Sequence, residues 1–551
     1  MQGLMQDYPL TLPPVFARAE RLYPDKTIST VTCGGLIRTT YGEWAQETRR
    51  LGTVLETLGV SADGRVGSLA WNTARHLALY WAAPCTGRVL HTLNPRLFTD
   101  QLRYVVQHGG DEVIFVDRSL LPVLWPLVDD FPAVRHVVVM DDGADAPIPD
   151  DPRIADYQEL VAAAEPAEFH VEDENLAAAM CYTSGTTGNP KGVVYSHRSL
   201  YLHAISSLMP NSMATSERDT VLPVVPMFHA NGWGYAQAPL FVGANLVFPG
   251  PDLSPKAIAA LLESERVTLT GGVPTVWMGM LPLLDQYDLS SLRMIICGGS
   301  AASRALSEAY REKLGIPITH AWGMTETSPL GSVSHVRSTD LDRPEDELAD
   351  LRARQGTPPA GVDIRIVEPG SDVRSDSGAE PSVVELPWDD VATGELQCRG
   401  PWIAASYYDD DRSAESFSAD GWLRTGDVAA VDRFGSIRLV DRTKDLVKSG
   451  GEWISSVELE NQLMAHPAVA EAAVIGVPHP RWQERPLACV VLAEGATATK
   501  EELIEHLRPR VAKWWLPDDV VFIDAVPRTS VGKFSKKDLR SRFADYELPT
   551  V

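Results

Sequence analysis

Tyr182-Thr183-Ser184-Gly185-Thr186-Thr187-Gly188-Asn189-Pro190-Lys191-Gly192 follows the apolar run Ala177 to Cys181. An apolar run that gives way to hydroxyl residues, two glycines and a lysine reads as a strand ending in a phosphate-binding loop. Small residues let backbone N–H groups approach a polyphosphate, hydroxyls add donors, and Lys191 adds charge. The loop is not a Walker A motif: Lys191 lies six residues after Gly185, but the second glycine is Gly188 rather than the residue next to Lys191, so GxxxxGK[ST] fails. Glycine and serine alone would equally suit a surface loop; the whole string points to phosphate.

On either side of this string, strand-like and helix-like patterns alternate. Upstream, Trp44, Leu51, Val54, Leu55 and Leu58 recur at helical spacing. Val66 to Ala70, Val113 to Val116 and His136 to Met140 are short apolar runs, with helical stretches near Thr73 to Ala83 and Thr99 to Gln107 between them. Downstream, Met294 to Cys297 with Gly298 and Gly299 reads as a buried strand ending in a turn. Alternation of this kind predicts parallel sheet layers in an α/β fold. From Gly361 the texture changes. Val362-Asp363-Ile364-Arg365-Ile366 alternates strictly and Gly394 to Cys398 does similarly, which predicts antiparallel strands. Pro369 to Asp390 reads as an acidic surface insertion and Gly421 to Gly435 as a succession of turns. Asp441-Arg442-Thr443-Lys444 marks a boundary. Beyond it Ser456 to Met464 is amphipathic, Val469 to Val477 strand-like and Glu501 to Val511 helical, a smaller α+β unit.

The 551 residues suit two or more domains. With 44% hydrophobic and 22% charged residues the composition is that of a globular chain. No repeat period appears, and no apolar stretch reaches the ~18–20 residues of a membrane span. The start carries no basic and apolar signal segment. Six scattered cysteines without a CxxC pair argue against a disulfide framework or a zinc site, and for a reducing cytoplasm. A net charge of −25 excludes a general nucleic-acid binder. Much of the acid sits in loop-like tracts, including Asp409 to Asp411.

At the phosphate-loop string the chain resembles the acyl-adenylate-forming (ANL) superfamily, which includes acyl-CoA synthetases, firefly luciferase and peptide-synthetase adenylation domains. Further motifs follow in family order: Val225-Pro226-Met227-Phe228-His229-Ala230-Asn231-Gly232-Trp233, Gly298-Gly299-Ser300-Ala301 and Trp322-Gly323-Met324-Thr325-Glu326-Thr327. Gly394-Glu395 with Gly400-Pro401 comes next, then Gly421-Trp422-Leu423-Arg424-Thr425-Gly426-Asp427, Asp441-Arg442-Thr443-Lys444-Asp445 and Pro527-Arg528-Thr529-Ser530-Val531-Gly532-Lys533. The nearest resemblance is to bacterial medium- and long-chain fatty acyl-CoA synthetases. It rests on Pro226 to His229 with Trp233, on Lys448 to Ser455, and on Pro478 to Pro486.

The resemblance implies a multidomain α/β (overall α+β) fold. A large N-terminal domain, residues 1–440, would hold two βα-layered subdomains and a β-barrel-like one. A small mobile C-terminal α+β lid, residues 441–551, would turn about a hinge at Asp441. It implies an ATP-, Mg²⁺- and CoA-dependent ligase that adenylates a medium- to long-chain fatty acid, releases pyrophosphate, then passes the acyl group to CoA. The alternative is a non-CoA acceptor; a non-catalytic scaffold would not need Lys533, Glu326 and Asp427. Implied catalytic groups are Lys533, Glu326 and Thr183, the last two also holding Mg²⁺. Implied ATP and AMP contacts are Thr183, Ser184, Gly185, Thr186, Thr187, Gly188, Lys191, Gly299, Ser300, Ala301, Trp322, Gly323, Met324, Thr325, Asp427, Arg442 and Lys444. In relatives Trp322 is commonly Tyr and stacks on adenine, while Asp427 and Arg442 hold ribose and phosphate. The acyl side falls to His229, Trp233 and Gly323. CoA falls to Lys448, Gly450, Gly451, Glu452 and Trp453. Glycines 232, 234, 271 and 272 suggest room for an alkyl chain, although Gly271 and Gly272 could equally serve core packing. Lys513-Trp514-Trp515 reads as structural. The N-terminus resembles that of relatives that form homodimers. Small molecules are the expected partners, with no nucleic acid and no integral membrane segment.

Overall fold

The structure is a computed structural model and describes residues 1–183, 189–371, 383–450, 452–529 and 534–549. Four sheets carry the described residues. The first has seven strands, in the order Ile154–Asp156, His136–Met140, Asp111–Asp117, Arg65–Leu69, Val89–Thr92, Ala177–Tyr182, Gly192–Ser196. All pairs are parallel except the last. The second has eight strands and runs from Leu330–Val333 through Ile318–Gly323, Met294–Cys297, Leu269–Gly272, Thr220–Pro223 and Asn245–Phe248 to Thr27–Thr32 and Gly35–Thr40. It is parallel in the middle and antiparallel at both ends. These are the two βα layers the alternation predicts, and His136–Met140 and Met294–Cys297 form with the expected bounds. Their near-continuous apolar character is that of strands covered on both faces by helices.

The helix Tyr41–Thr57 buries Trp44, Leu51, Val54 and Leu55, the residues whose spacing predicts it. It starts where the Thr40 hydroxyl accepts from the Glu43 N–H and Glu43 reaches back, a capping box that satisfies two otherwise orphaned donors. It packs against Ala74–Cys85, the helix expected near Thr73 to Ala83.

A four-stranded antiparallel sheet, Asp363–Val367, Gly394–Arg399, Leu423–Val431 and Ile437–Arg442, stands where the barrel-like subdomain is expected. It corrects one sequence expectation. Gly421 to Gly435 is not a run of turns but holds the buried strand Leu423–Val431. Gly426 sits at φ +70° inside that strand, and the register with Ile437–Arg442 shifts between Val428 and Ala429. An irregularity of this kind places turn-type residues mid-strand and hides the alternation.

The C-terminal sheet joins Glu452–Ile454, Val447–Ser449, Gln483–Leu492, Val469–His479 and Asp519–Phe522. Helices Ser456–Met464 and Lys500–Leu507 cover it, and its two apolar cores draw only on residues from Val447 onward. This is the smaller domain beside a larger N-terminal one.

Candidate active site

The strand Ala177–Tyr182 returns antiparallel as Gly192–Ser196, with Tyr182 opposite Gly192. The Thr183 N–H donates to the Lys191 carbonyl at 2.9 Å and the Lys191 N–H to Thr183 Oγ1 at 3.2 Å, which closes the neck of the loop. Ser184, Gly185, Thr186, Thr187 and Gly188 lie outside the described residues. Thr183, Asn189 and Lys191 at the neck line a cavity of ≈ 230 Å³. Its walls also include Gly298, Gly299, Trp322, Gly323, Met324, Thr325, Glu326 and Arg442, with His229, Trp233, Met213, Ile296 and Leu330 on the apolar side. Residues spread from Thr183 to Arg442 therefore meet at one hollow.

The topology explains the meeting. Met294–Cys297 and Ile318–Gly323 are adjacent parallel strands of the second sheet and deliver Gly298, Gly299 and Trp322 to Glu326 at their ends. Ligands of open α/β sheets bind outside such strand ends. Gly299 takes φ +82°, and a Cβ at Gly323 would overlap the Pro329 carbonyl, so both positions require glycine. Ser300 and Ala301 are off the wall; the Ser300 backbone instead meets His320.

Trp322 Nε1 donates to Asp427 Oδ2 at 2.8 Å, and Arg442 Nε lies 3.1 Å from Asp427 Oδ1. Asp427 and Arg442 face each other across neighbouring strands. Asp427 beside it holds the Arg442 guanidinium more firmly protonated than usual. Glu326, on the short turn Thr325–Thr327, is buried and accepts from the Tyr407 hydroxyl at 2.6 Å. Lys191 Nζ donates to Ser416 Oγ at 3.0 Å and lies 4.4 Å from the centre of the Tyr407 ring. Tyr407, Ser416, Met213, Ile296 and Leu330 escape sequence reasoning. Tyr407 and its neighbour Tyr408 precede Asp409 to Asp411, whose charge reads as a loop.

Trp233 sits in a left-handed turn, with φ of +44° at Ala230, +49° at Asn231, +60° at Gly232, +57° at Trp233 and +80° at Gly234. Its ring lies where a Cβ at Gly298 would come within 3.1 Å. The glycines read as room for an alkyl chain are a correction. A Cβ at Gly271 would meet the Tyr235 hydroxyl at 2.2 Å, at Gly272 the Trp277 ring at 3.0 Å, at Gly234 the His203 ring at 2.7 Å, and at Gly232 Met227 at 3.3 Å. Neighbouring side chains already fill the space these glycines leave.

Lys448, Gly450 and Trp453 are not on the cavity wall. They share the hairpin Val447–Ser449 to Glu452–Ile454, where Lys448 Nζ lies 5.2 Å from the Trp453 ring and Gly450 takes φ +62° against Trp482. Gly451, the Glu452 side chain and Lys533 lie outside the described residues. Lys444 is exposed beside Arg442 and off the wall. Asp441 is buried. Its Oδ2 accepts from the Ser456 N–H at 2.6 Å and Ser456 Oγ at 2.5 Å, while Lys536 Nζ lies 2.6 Å from Ser456 Oγ and 2.7 Å from Glu460 Oε1. Among the described residues no group of three His, Cys, Asp or Glu could hold a metal, no helix is long and apolar enough to cross a membrane, and the six cysteines are free.

The profile of the AMP-binding enzyme family matches residues 16–408, and that of the AMP-binding enzyme C-terminal domain matches residues 458–533. The 3-methylmercaptopropionyl-CoA ligase of Ruegeria lacuscaerulensis is 43% identical over 549 residues, 99% of each chain. The long-chain-fatty-acid–CoA ligase of Thermus thermophilus is 43% identical over 547 residues, 98% of this chain and 97% of that one. Among solved structures, ATP-bound MatB from Rhodopseudomonas palustris superposes with a TM-score of 0.82 at 26% identity, covering 97% of this chain and 99% of that one.

Proposed function

The chain belongs to the AMP-binding enzyme family and is an ATP-dependent, AMP-forming acyl-CoA ligase, and we propose the following site chemistry for it. The acid's carboxylate oxygen attacks the α-phosphorus of ATP, the bond to the β-phosphate oxygen breaks, and pyrophosphate leaves. The CoA thiolate then attacks the acyl carbon and AMP leaves with the electron pair. Asp427 and Arg442 take the ribose and phosphate, Trp322 walls the adenine, and Lys191 with the loop residues 183–188 takes the polyphosphate. Lys533 bridges carboxylate and α-phosphate in the first step. In the second, the lid turns about Asp441 and brings Lys448, Gly450, Gly451, Glu452 and Trp453 toward CoA. Mg²⁺ fits this donor set as an ion carried in by ATP, because one buried carboxylate, Glu326, with the Thr183 hydroxyl suits a cation that keeps phosphate oxygens and waters as its other ligands. It would neutralise charge on the departing pyrophosphate.

One observation carries the reading: a single cavity joins Lys191, Glu326, Trp322 and Arg442 to the apolar wall of Met213, Trp233, Ile296 and Leu330. The filled glycine notches support a compact apolar acid, the class to which the Ruegeria relative's 3-methylmercaptopropionate belongs. A medium- to long-chain fatty acid is the second reading, favoured by the name of the Thermus relative and requiring Trp233 to swing aside. The test is pyrophosphate release with ATP and Mg²⁺ across acids of increasing length, with and without CoA, following the thioester by mass. Thioester from short acids supports the first reading and from long acids the second. Pyrophosphate without thioester would move the assignment to another acceptor.

A homodimer is also proposed. Gly35–Thr40 ends its sheet with Ile37 58% exposed, and Leu4 and Met5 of the N-terminal segment are more exposed still. An apolar edge of this kind invites a second copy. Light scattering that returned only the 60.2 kDa monomer would reject it.

A further inference from the structure

We propose that Tyr407 is a positioning residue for adenylation, holding Glu326 through its hydroxyl and Lys191 through its ring, so that one side chain sets both groups expected to meet Mg·ATP. The inference rests on the reading above and deepens it.

Lys191 and Glu326 line the same cavity, yet among the described residues no ion pair joins them. Tyr407 meets both. Its hydroxyl donates to Glu326 Oε1 at 2.6 Å, and its ring faces Lys191 Nζ at 4.4 Å. A lysine and a carboxylate in direct contact would neutralise each other and withhold their charge from the polyphosphate and its metal ion. A phenol between them binds each without changing the charge of either. The ring meets the ammonium with its electron-rich face, and the hydroxyl gives the carboxylate one fixed donor.

Tyr407 can do this because it is itself held. It is 7% exposed, its N–H donates to Ser413 Oγ at 2.9 Å, and its ring packs edge-on against Phe417 at 5.6 Å. The chain around it is fastened to both motifs it serves. The Ala404 N–H donates to the Glu326 carbonyl at 2.8 Å, and Trp402 Nε1 to the Leu330 carbonyl at 2.9 Å. On the other side the Tyr408 N–H donates to the Gly192 carbonyl at 2.9 Å, and Arg412 reaches the Asn189 carbonyl at 3.3 Å. Ser416 Oγ receives the Lys191 ammonium from beyond the ring. Residues 402–416 thus form a strap that ties the phosphate loop's neck to the Glu326 turn, with Tyr407 at its centre.

The test uses the full-length chain with Mn²⁺ as probe. Mn²⁺ binding is read by its paramagnetic resonance with ATP present and no acid, so that nothing turns over. Tyr407→Phe should weaken Mn²⁺ binding and slow acid-dependent pyrophosphate release, each by roughly tenfold to a hundredfold, the weight of a hydrogen bond to a charged group. Thioester formation from supplied acyl-adenylate should stay within about twofold of wild type. In a Glu326→Gln background the same change should add little, because the two residues act through one contact. Tyr407→His, which keeps a ring and a donor, should retain Mn²⁺ affinity that Tyr407→Leu loses, and this pair carries the test if Tyr407→Phe fails to fold. Unchanged Mn²⁺ binding, equal losses in both half-reactions, or equal losses in the His and Leu variants would overturn the role. Wild-type protein that binds no Mn·ATP would instead overturn the adenylation reading itself.

Discussion

At the scale of single residues the decisive contacts are few. Trp322 illustrates how one atom changes a role. Trp322 offers both a ring and the indole Nε1–H, and the Nε1–H goes to Asp427. Trp322→Phe keeps the wall and removes the donor, leaving the buried Asp427 carboxylate with Arg442 as its ion-pair partner among the described residues. With Asp427 in the proposed ribose-binding role, the KM for ATP should rise about tenfold with kcat nearly unchanged, since such a contact is common to ground and transition states. Initial rates over a range of ATP concentrations read this directly, and a fall in kcat at constant KM would move Trp322 into the chemical step. Trp233 supports a second expectation. A tryptophan at φ +57° within a left-handed turn is held there only because its surroundings over-determine it. Trp233→Leu shortens the apolar wall, so the kcat/KM ratio of decanoate to butyrate should rise at least ~10-fold. An unchanged ratio would take Trp233 out of the acyl wall.

At the scale of elements, what the sequence makes legible is what local chemistry determines. His136–Met140 and Met294–Cys297 are apolar from end to end, and Asp363–Val367 alternates, so each announces its sheet. Leu423–Val431 does not, because Gly426 at φ +70° and the charged Asp427 beside it break the pattern. The motif residues Thr183, Glu326, Trp322 and Arg442 were legible because their spacing is that of a family. Tyr407 was not, since its partners lie 81 and 216 positions away and nothing local marks it. The glycines of Leu269–Gly272 misled, because sequence shows the missing Cβ but not the Tyr235 hydroxyl that replaces it. That hydroxyl is buried without a hydrogen-bond partner among the described residues. Tyr235→Phe should therefore leave the melting temperature unchanged or raise it, and Gly271→Ala should lower it less in that background than alone. The link into the C-terminal domain invites a third substitution. Lys536 lies against Glu460, whose carboxyl is pushed up to about 7 by burial, and against Ser456, which holds Asp441. Lys536→Met leaves these carboxyl groups buried without their cation, a loss of about 3 kcal/mol. Calorimetry should show the C-terminal domain unfolding earlier with the N-terminal transition in place; a single unshifted transition would contradict this.

At the scale of the whole molecule, buried histidines set a pH limit on the N-terminal domain. Burial pushes His76, His197 and His320 down to about 4 and His203 to about 3, so all four are neutral in the fold near neutrality. Unfolded histidines titrate near 6.5. Between about 6.5 and 4 the unfolded chain therefore binds up to four protons that the folded chain refuses, and stability falls as pH falls. Asp117 works the other way. Burial raises it to about 7, so the fold holds a proton there that an unfolded aspartate gives up near 3.8, and acidification from 7 favours the fold by that one group. Four protons against one leaves the unfolded state ahead by about three, a slope approaching ~4 kcal/mol per pH unit at its steepest and less where titrations overlap. Near pH 7.5 the residual protons on the unfolded histidines and on folded Asp117 nearly cancel, and above it both fade, so these five groups contribute little slope. The urea midpoint of the N-terminal transition should accordingly be flat from pH 7.5 to 8.5 and fall steadily from 6.5 to 5; a midpoint that held or rose on acidification would refute the account. His203 links this limit to the active site. Its Nε2 accepts the N–H of Leu330, which lines the cavity, and its ring packs where a Cβ of Gly234, next to the cavity residue Trp233, would stand. Because burial keeps His203 neutral down to about 3, below the range in which stability falls, that acceptor stays in place for as long as the fold does, and activity toward apolar acids should fall with the folded fraction rather than before it.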